Sequence, residues 1–209
     1  MTKELPAKGI FAVLKPEGIS SYDVIRKLKY LLKEKKIGHA GTLDPLAEGV
    51  LVVGVGRDAT KKLSELLKKE KEYLAKIELG KISATDDREG PIKKVKVFKK
   101  PSLEEIRKEV KELEGLIWQK PPKFSALKIN GQRAYALARQ GKNLKLKARK
   151  VEIKKIRILR YNWPKLKLKV VTGPGVYIRA LARDLGKKLK TGGYLVKLER
   201  IRVGDYNKK

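Results

Sequence analysis

Cysteine is absent from the 209 residues, and histidine and methionine occur once each. No disulfide framework is possible, which fits a reducing interior. One imidazole and no thiol also exclude a conventional structural zinc site, and with it the zinc deaminase chemistry that needs a His/Cys/Cys or Cys₃ set. Attack on a base by a thiolate is excluded on the same ground, so any nucleophile here must be an oxygen or an amine. Long apolar runs are missing too. Nothing in the sequence would span a bilayer, and Met1 to Gly9 lacks the apolar stretch of a secretory leader. A cytoplasmic protein without membrane contact is the expectation. Acidic residues are scarce: 23 Asp and Glu face 53 Lys and Arg, a net charge of +30. Such an excess repels itself, and a polyanionic partner, nucleic acid, is the natural counterpart. A heat-adapted, ion-paired surface would account for many charges but not for their imbalance.

Apolar residues make up 41% of the chain, enough for a packed interior in one domain spanning 1–209. Ile10 to Leu14 and Val50 to Val55 read as short buried strands. Ser20-Ser21-Tyr22-Asp23 and Ser102-Leu103-Glu104-Glu105 read as helix-opening capping boxes. Tyr73, Ala75, Ile77 and Leu79 alternate with polar residues, the pattern of a half-buried strand, with Ile92 to Phe98 as its expected antiparallel neighbour. Val151 to Leu159, Leu166 to Thr172 and Leu195 to Val203 add strands, and Ile178, Leu181, Ala182, Leu185 and Leu189 mark a helix. Hairpins outnumber crossovers, so the fold class is α+β with a mostly antiparallel central sheet and flanking helices. Gln119 to Lys150 does not fit a compact element. It holds Pro121-Pro122, a short helix around Ala134 to Arg139 and many cations, among them Lys123, Lys128, Arg133 and Arg139. A long basic excursion of this kind is either functional or a solvated loop.

Gly54-Val55-Gly56-Arg57-Asp58-Ala59 fits a dinucleotide-binding pattern, but that fold needs parallel strands with crossover helices, which this chain does not offer. The glycines are better explained by tight turning. A richer segment is Gly38-His39-Ala40-Gly41-Thr42-Leu43-Asp44-Pro45-Leu46-Ala47-Glu48-Gly49. Its glycines let backbone approach a ligand, and Pro45 keeps Asp44 out of the helical region. Asp44 is either a placed carboxylate or an Asx-turn residue, and His39 either a contact residue or a hydrogen-bonded loop histidine. Gly173-Pro174-Gly175-Val176-Tyr177-Ile178-Arg179 puts a cation in the first turn of a helix, where local propensity disfavours it. A carboxylate partner elsewhere would explain Arg179, as would a surface ion pair. Spacing alone does not join Asp44, Tyr73 and Arg179 into one site.

Taken together, Lys15-Pro16-Glu17-Gly18-Ile19-Ser20-Ser21, the stretch Gly38 to Leu51, Lys71-Glu72-Tyr73, Phe124-Ser125-Ala126-Leu127-Lys128, Ala138-Arg139-Gln140-Gly141 and Gly175 to Arg179 strongly resemble bacterial TruB-type tRNA pseudouridine synthases. The likeness runs in order from about Gly9 to Tyr206. It implies the pseudouridine synthase fold and isomerisation of the uridine at position 55, in the T-loop of tRNA, without cofactor or metal. It implies Asp44 as the nucleophile, Tyr73 as the aromatic that stacks on the flipped base, and Arg179 as the partner of Asp44. His39 would fill the space vacated by flipped bases. Lys15, Lys61, Lys128, Arg139, Tyr177 and Leu198 would contact substrate or RNA, and 119–150 would be a thumb that clamps the T-arm stem-loop. A monomer is expected. Two departures stand out. The small C-terminal RNA-binding (PUA-like) domain usual in bacterial members is not expected here, and Leu198-Glu199-Arg200 places an acid where a second basic residue is common.

Overall fold

A computed structural model describes residues 8–125, 127–129, 131–141 and 144–208; Ala126 and the side chains of Lys128, Ile129 and Arg139 lie outside that description. In chain order the elements are β1 (Gly9–Lys15), α1 (Ser21–Leu32), β2 (Ile37–His39), β3 (Ala47–Val55), α2 (Arg57–Leu67), β4 (Lys71–Leu79), β5 (Lys81–Ser83), β6 (Ile92–Lys94) and α3 (Leu103–Lys111). They continue with β7 (Gly115–Gln119), β8 (Lys128–Ile129), β9 (Gln132–Arg133), α4 (Ala134–Arg139), β10 (Arg149–Asn162), β11 (Lys165–Thr172), α5 (Ile178–Lys188), β12 (Gly193–Val203) and β13 (Tyr206–Asn207). The described residues divide into two compact units, Met1–Tyr73 with Leu198–Lys209, and Leu74–Lys197. β4 and β12 are the strands along which the chain passes from one unit to the other.

In the first unit β3 is the central strand. β1 lies antiparallel to it from Gly9↔Val55 to Lys15↔Gly49, β2 is antiparallel at Ile37↔Val55, and β12 runs parallel at Leu198↔Ala47. The run Val50 to Val55 is continuously apolar because both faces of β3 are covered. Leu51, Val53 and Val55 pack with Ile25 and Leu28 of α1, whereas Val50 and Val52 pack with Leu63 of α2. Ser20 caps α1 and Ser102 caps α3, each through a reciprocal box with the acid three residues on. Such caps contribute about 0.5–2 kcal/mol each, because they satisfy helix-terminal N–H groups. Gly54 and Gly56 serve packing and turning: a Cβ on Gly54 would meet the Ala59 carbonyl at 3.0 Å, and Gly56 opens α2 at φ +91°.

The second unit orders its strands β4-β11-β10-β7, with β10 antiparallel to both neighbours. Alternation holds as read: Ala75, Ile77 and Leu79 are buried on β4, and Leu166, Leu168 and Val170 on β11. Ile92–Lys94 does not pair with β4, as the sequence suggested, but with β5 in a separate two-stranded hairpin. The intervening Lys81–Ser83 segment is three residues long and carries no hydrophobic period to announce itself. The chain is therefore α+β with a largely antiparallel sheet, in which β3 and β12 pair in parallel. No helix among the described residues is long and apolar enough to cross a membrane.

Candidate active site

Asp44 sits half-buried on irregular backbone just ahead of β3, and its carbonyl accepts the Ala47 N–H at 3.0 Å. Both of its neighbours are tied down. The Leu43 N–H donates to Ser21 Oγ at 2.8 Å, and the same hydroxyl donates back to the Leu43 carbonyl at 2.9 Å. The Pro45 carbonyl accepts from the Gly18 N–H at 2.8 Å and from Lys15 Nζ at 3.4 Å. The segment from Lys15 to Ser21 is thus the wall against which the Asp44 loop is set. A carboxylate carried on so constrained a loop is preorganised, which lowers the entropy cost of presenting it to a reacting atom.

Lys15 departs from the expected RNA contact. It is 1% exposed, and its ammonium turns inward onto the carbonyls of Pro16, Ile19 and Pro45. A buried ammonium with three carbonyl acceptors holds a loop together and cannot reach a phosphate while so engaged. Leu198 is also buried, in β12 opposite Ala47, three residues from Asp44. Lys61 stands exposed on α2. Tyr73 is buried near the start of β4.

Two buried cations to which the sequence reading gave no role hold backbone in this unit, Arg200 at the Asp44 loop and Lys71 at the end of α2. Arg200 is 1% exposed; its Nε donates to the Val50 carbonyl at 2.8 Å and its Nη2 to the Gly41 carbonyl at 2.9 Å. One guanidinium therefore fastens both ends of the stretch that contains Asp44. Gly49, at φ +104°, lets the backbone of β3 approach Arg200: a Cβ there would lie 2.3 Å from the Arg200 carbonyl oxygen. Lys71 Nζ donates to the Leu67 and Lys69 carbonyls at 2.9 and 2.8 Å. The sequence signal for Arg200 was its place two residues after Leu198, and that for Lys71 its place in the Lys71-Glu72-Tyr73 motif.

Burial foremost, and then the Arg200 charge, push the Lys71 ammonium down to about 8 from 10.5. The unfolded chain holds that proton more tightly, so between about pH 8 and 10.5 it binds more protons than the folded chain and stability rises with pH. Lys71→Met removes this contribution. The melting-temperature difference between wild type and variant is expected to move in favour of the wild type as pH rises from 8 to 10.5; a difference that stays flat across that window rules the assignment out.

His39 belongs to β2, opposite Val53. Its Nδ1 is buried with no hydrogen-bond partner among the described residues. Burial first, and Arg200 second, hold the imidazole below its usual 6.5, so it is neutral at pH 7. A neutral imidazole donates from one ring nitrogen and accepts at the other, so the ring retains hydrogen-bonding capacity that the described residues do not use at Nδ1.

In the second unit Arg179 opens α5 and is buried. Its Nη1 pairs with Asp87 Oδ2 at 3.1 Å and donates to the Thr85 carbonyl at 3.0 Å, while Nη2 donates to the Phe124 carbonyl at 2.8 Å. Asp87 is held in turn by Thr85 Oγ1 at 2.5 Å and the Glu89 N–H at 2.9 Å. One turn later, Arg183 repeats the arrangement, with Nη1 on Asp86 at 2.9 Å and Nη2 on the Lys120 carbonyl at 2.7 Å. Burial raises the Asp86 carboxyl, opposed by the Arg183 charge beside it. The sequence left a carboxylate partner for Arg179 as one of two readings, and the resemblance implied Asp44; the Asp87 partner was not foreseen.

Tyr177 caps α5 at half-burial, and both of its backbone polar groups bond the Gln119 side chain, at 2.8 and 3.2 Å. The basic excursion therefore has a fixed root: Gln119, Lys120 and Phe124 are bonded to α5, and Pro121, Pro122 and Ser125 are buried. Further along, Ala134, Leu137 and Leu146 are buried as well, more apolar packing than the sequence suggested. The contacts expected of Lys128 and Arg139 fall on side chains outside the described ones. Among the described residues, no group of three or more His, Asp or Glu is placed to hold a metal ion.

The constrained loop that carries Asp44 and the strand that carries His39 make up the candidate centre of the first unit. A family described as "TruB family pseudouridylate synthase (N terminal domain)" matches residues 29–178. The chain belongs to that family. It is 44% identical over 202 residues to "tRNA pseudouridine synthase B" of Clostridium kluyveri, covering 95% of this chain and 68% of that one. The protein of the same name from Streptomyces coelicolor is 44% identical over 213 residues, covering 98% and 70%. Among solved structures, one titled "Crystal Structure of a Cbf5-Nop10-Gar1 Complex" matches with a TM-score of 0.74 at 28% identity, over 97% of this chain and 51% of that chain. This chain thus spans about half the length of that solved relative.

Proposed function

We propose that this chain isomerises uridine to pseudouridine in the T-loop of tRNA, at position 55, with Asp44 as nucleophile. The observation that carries the reading is the Asp44 loop itself, pinned through Leu43 and Pro45 to the Lys15–Ser21 segment within a chain of this family. A uridine inside a folded loop must first be flipped, which costs a few kcal/mol. Stacking on Tyr73 would return about 1–3 kcal/mol of that, and His39 would take up space the base leaves. Asp44 attacks as the carboxylate. The C–N glycosidic bond breaks, the base rotates, and a C–C bond forms at the uracil C5 as the bond to Asp44 is broken, C5 losing a proton and N1 gaining one. Arg179 serves Asp44 as its cationic partner in this reading, since a neighbouring Arg keeps a carboxylate ionised and a guanidinium holds its charge at any working pH. Residues 119–150 act as the thumb that excludes water, rooted on α5 through Arg179 and Arg183. The working form is a monomer.

Release of tritium from a T-arm stem-loop bearing 5-tritiated uridine tests the reaction directly. Release stoichiometric with the uridine is expected; none at excess enzyme would leave a non-catalytic RNA-binding protein as the alternative. Affinity for the same RNA is expected to fall steeply with salt, with a slope of about −0.7 to −0.9 per neutralised phosphate. A flat response would assign the +30 charge to a heat-adapted surface instead.

A further inference from the structure

The solvent face of the second unit's sheet carries cations where strand pairing alone disfavours them. β11 buries Leu166, Leu168 and Val170, so alternation sets Lys165, Lys167 and Lys169 on its outer face. The register places Arg160 directly across from Lys167, and Arg157 across from Lys169. Like charges directly opposite on an antiparallel pair destabilise it. A hollow of about 590 Å³ opens on this face, lined in part by Lys76, Arg160, Lys165 and Lys167. Its carboxylate, Glu78, is already engaged: it accepts from the Tyr194 hydroxyl at 2.9 Å and pairs with Lys81 at 2.8 Å. Four cations thus meet one committed acid. Lys76, Arg160 and Lys165 are exposed and Lys167 is half-exposed, so the charged heads are available to a partner.

We propose that this hollow is a phosphate-binding surface for RNA, which contributes affinity for the substrate's backbone and not turnover. It rests on the reading above only in taking RNA as the polyanion. Outward residues on one strand recur every roughly 6.6 Å, which suits a row of phosphates better than a single small anion. Arg160 adds a planar fork that can hold two phosphate oxygens. A phosphate strand lying here would also remove the repulsion between Arg160 and Lys167, so binding would relieve a cost that the free chain carries.

The test is the full chain with Arg160→Gln and Lys167→Gln combined, against a control with Lys93→Gln and Lys94→Gln, two exposed lysines on β6. Affinity for a tRNA transcript is measured over a salt series, alongside melting temperature and tritium release at saturating RNA. The first pair is expected to weaken binding about tenfold and to flatten the salt slope by about 1.4–1.8, two contacts' worth. Its melting temperature stays level or rises, and its saturated turnover is unchanged. Wild-type slope and affinity, or a loss no greater than the control's, overturns the proposal. So does weakened binding of an acidic polypeptide with RNA binding intact, which would give the face to a protein partner. A changed slope with no tritium release from wild type would keep this surface while sinking the isomerase reading; release with an unchanged slope does the reverse.

Discussion

Asp44→Asn is expected to abolish pseudouridine formation while leaving fold and RNA affinity close to wild type. The amide has nearly the size and shape of the carboxylate and can still serve the turn before Pro45. Several bonds that set the loop are made by neighbours or backbone: Ser21 with Leu43, Gly18 and Lys15 with Pro45, and the Asp44 carbonyl with the Ala47 N–H. None of them needs the side-chain charge. What disappears is a group able to form and release a covalent bond, and removing a nucleophile alone can cost as much as removing a whole catalytic apparatus, factors of a thousand or more in rate. Single-turnover tritium release should therefore fall by at least about a thousandfold, with the dissociation constant within a fewfold of wild type and the melting temperature essentially unchanged. If more than about 1% of the wild-type rate survives, a nucleophile does not act at this position.

The parts legible in the sequence were those fixed by neighbours along the chain. Ser20 and Ser102 announced two helices because a capping box is a four-residue signal. Val50 to Val55 announced a strand covered on both faces, and the alternation through Leu79 announced one covered on a single face. The short helix at Ala134 to Arg139 was placed correctly as well, although no side-chain cap marks its start. Long-range pairing was not legible. Ile92 found Ser83 rather than β4, since three-residue strands carry too little pattern to fix a partner.

Charged side chains were harder still, because a lysine or arginine in a basic sequence looks the same whether it faces solvent or backbone carbonyls. Lys15 and Arg200 spend their charge on main-chain oxygens around the Asp44 loop, and Lys71 spends its charge on those at the end of α2. The imbalance of +30 is thus not all surface. Some of it holds the backbone at places where no regular ladder could satisfy the carbonyls, and a buried carbonyl needs a donor from somewhere. Ser21 was visible only as a letter in a motif, and its two bonds to Leu43 supply the physical reason the motif stands where it does.

Arg179→Lys is expected to lower turnover by about a hundredfold, although the charge is conserved. The guanidinium addresses three acceptors at once: the Asp87 carboxylate at 3.1 Å and the Thr85 and Phe124 carbonyls at 3.0 and 2.8 Å. An ammonium is a single point and cannot span positions set by a planar fork. At least one acceptor in this buried site is left without its donor, at about 1–3 kcal/mol, and the root of 119–150 loses its bond at Phe124. A displacement of roughly 1 Å at a catalytic group costs on the order of a hundredfold in rate. Asp87→Asn is the comparison that separates scaffolding from catalysis. It weakens the ion pair and leaves the guanidinium in place. A purely structural Arg179 would make the two variants alike, each losing activity in proportion to its fall in melting temperature. An Arg179 that also serves Asp44 makes the lysine variant lose kcat well beyond the asparagine variant at matched stability, with KM little changed and the acid limb of the pH–rate profile displaced upward. A kcat near wild type for Arg179→Lys from pH 5 to 8 would show that Arg179 organises the second unit and does nothing for the nucleophile.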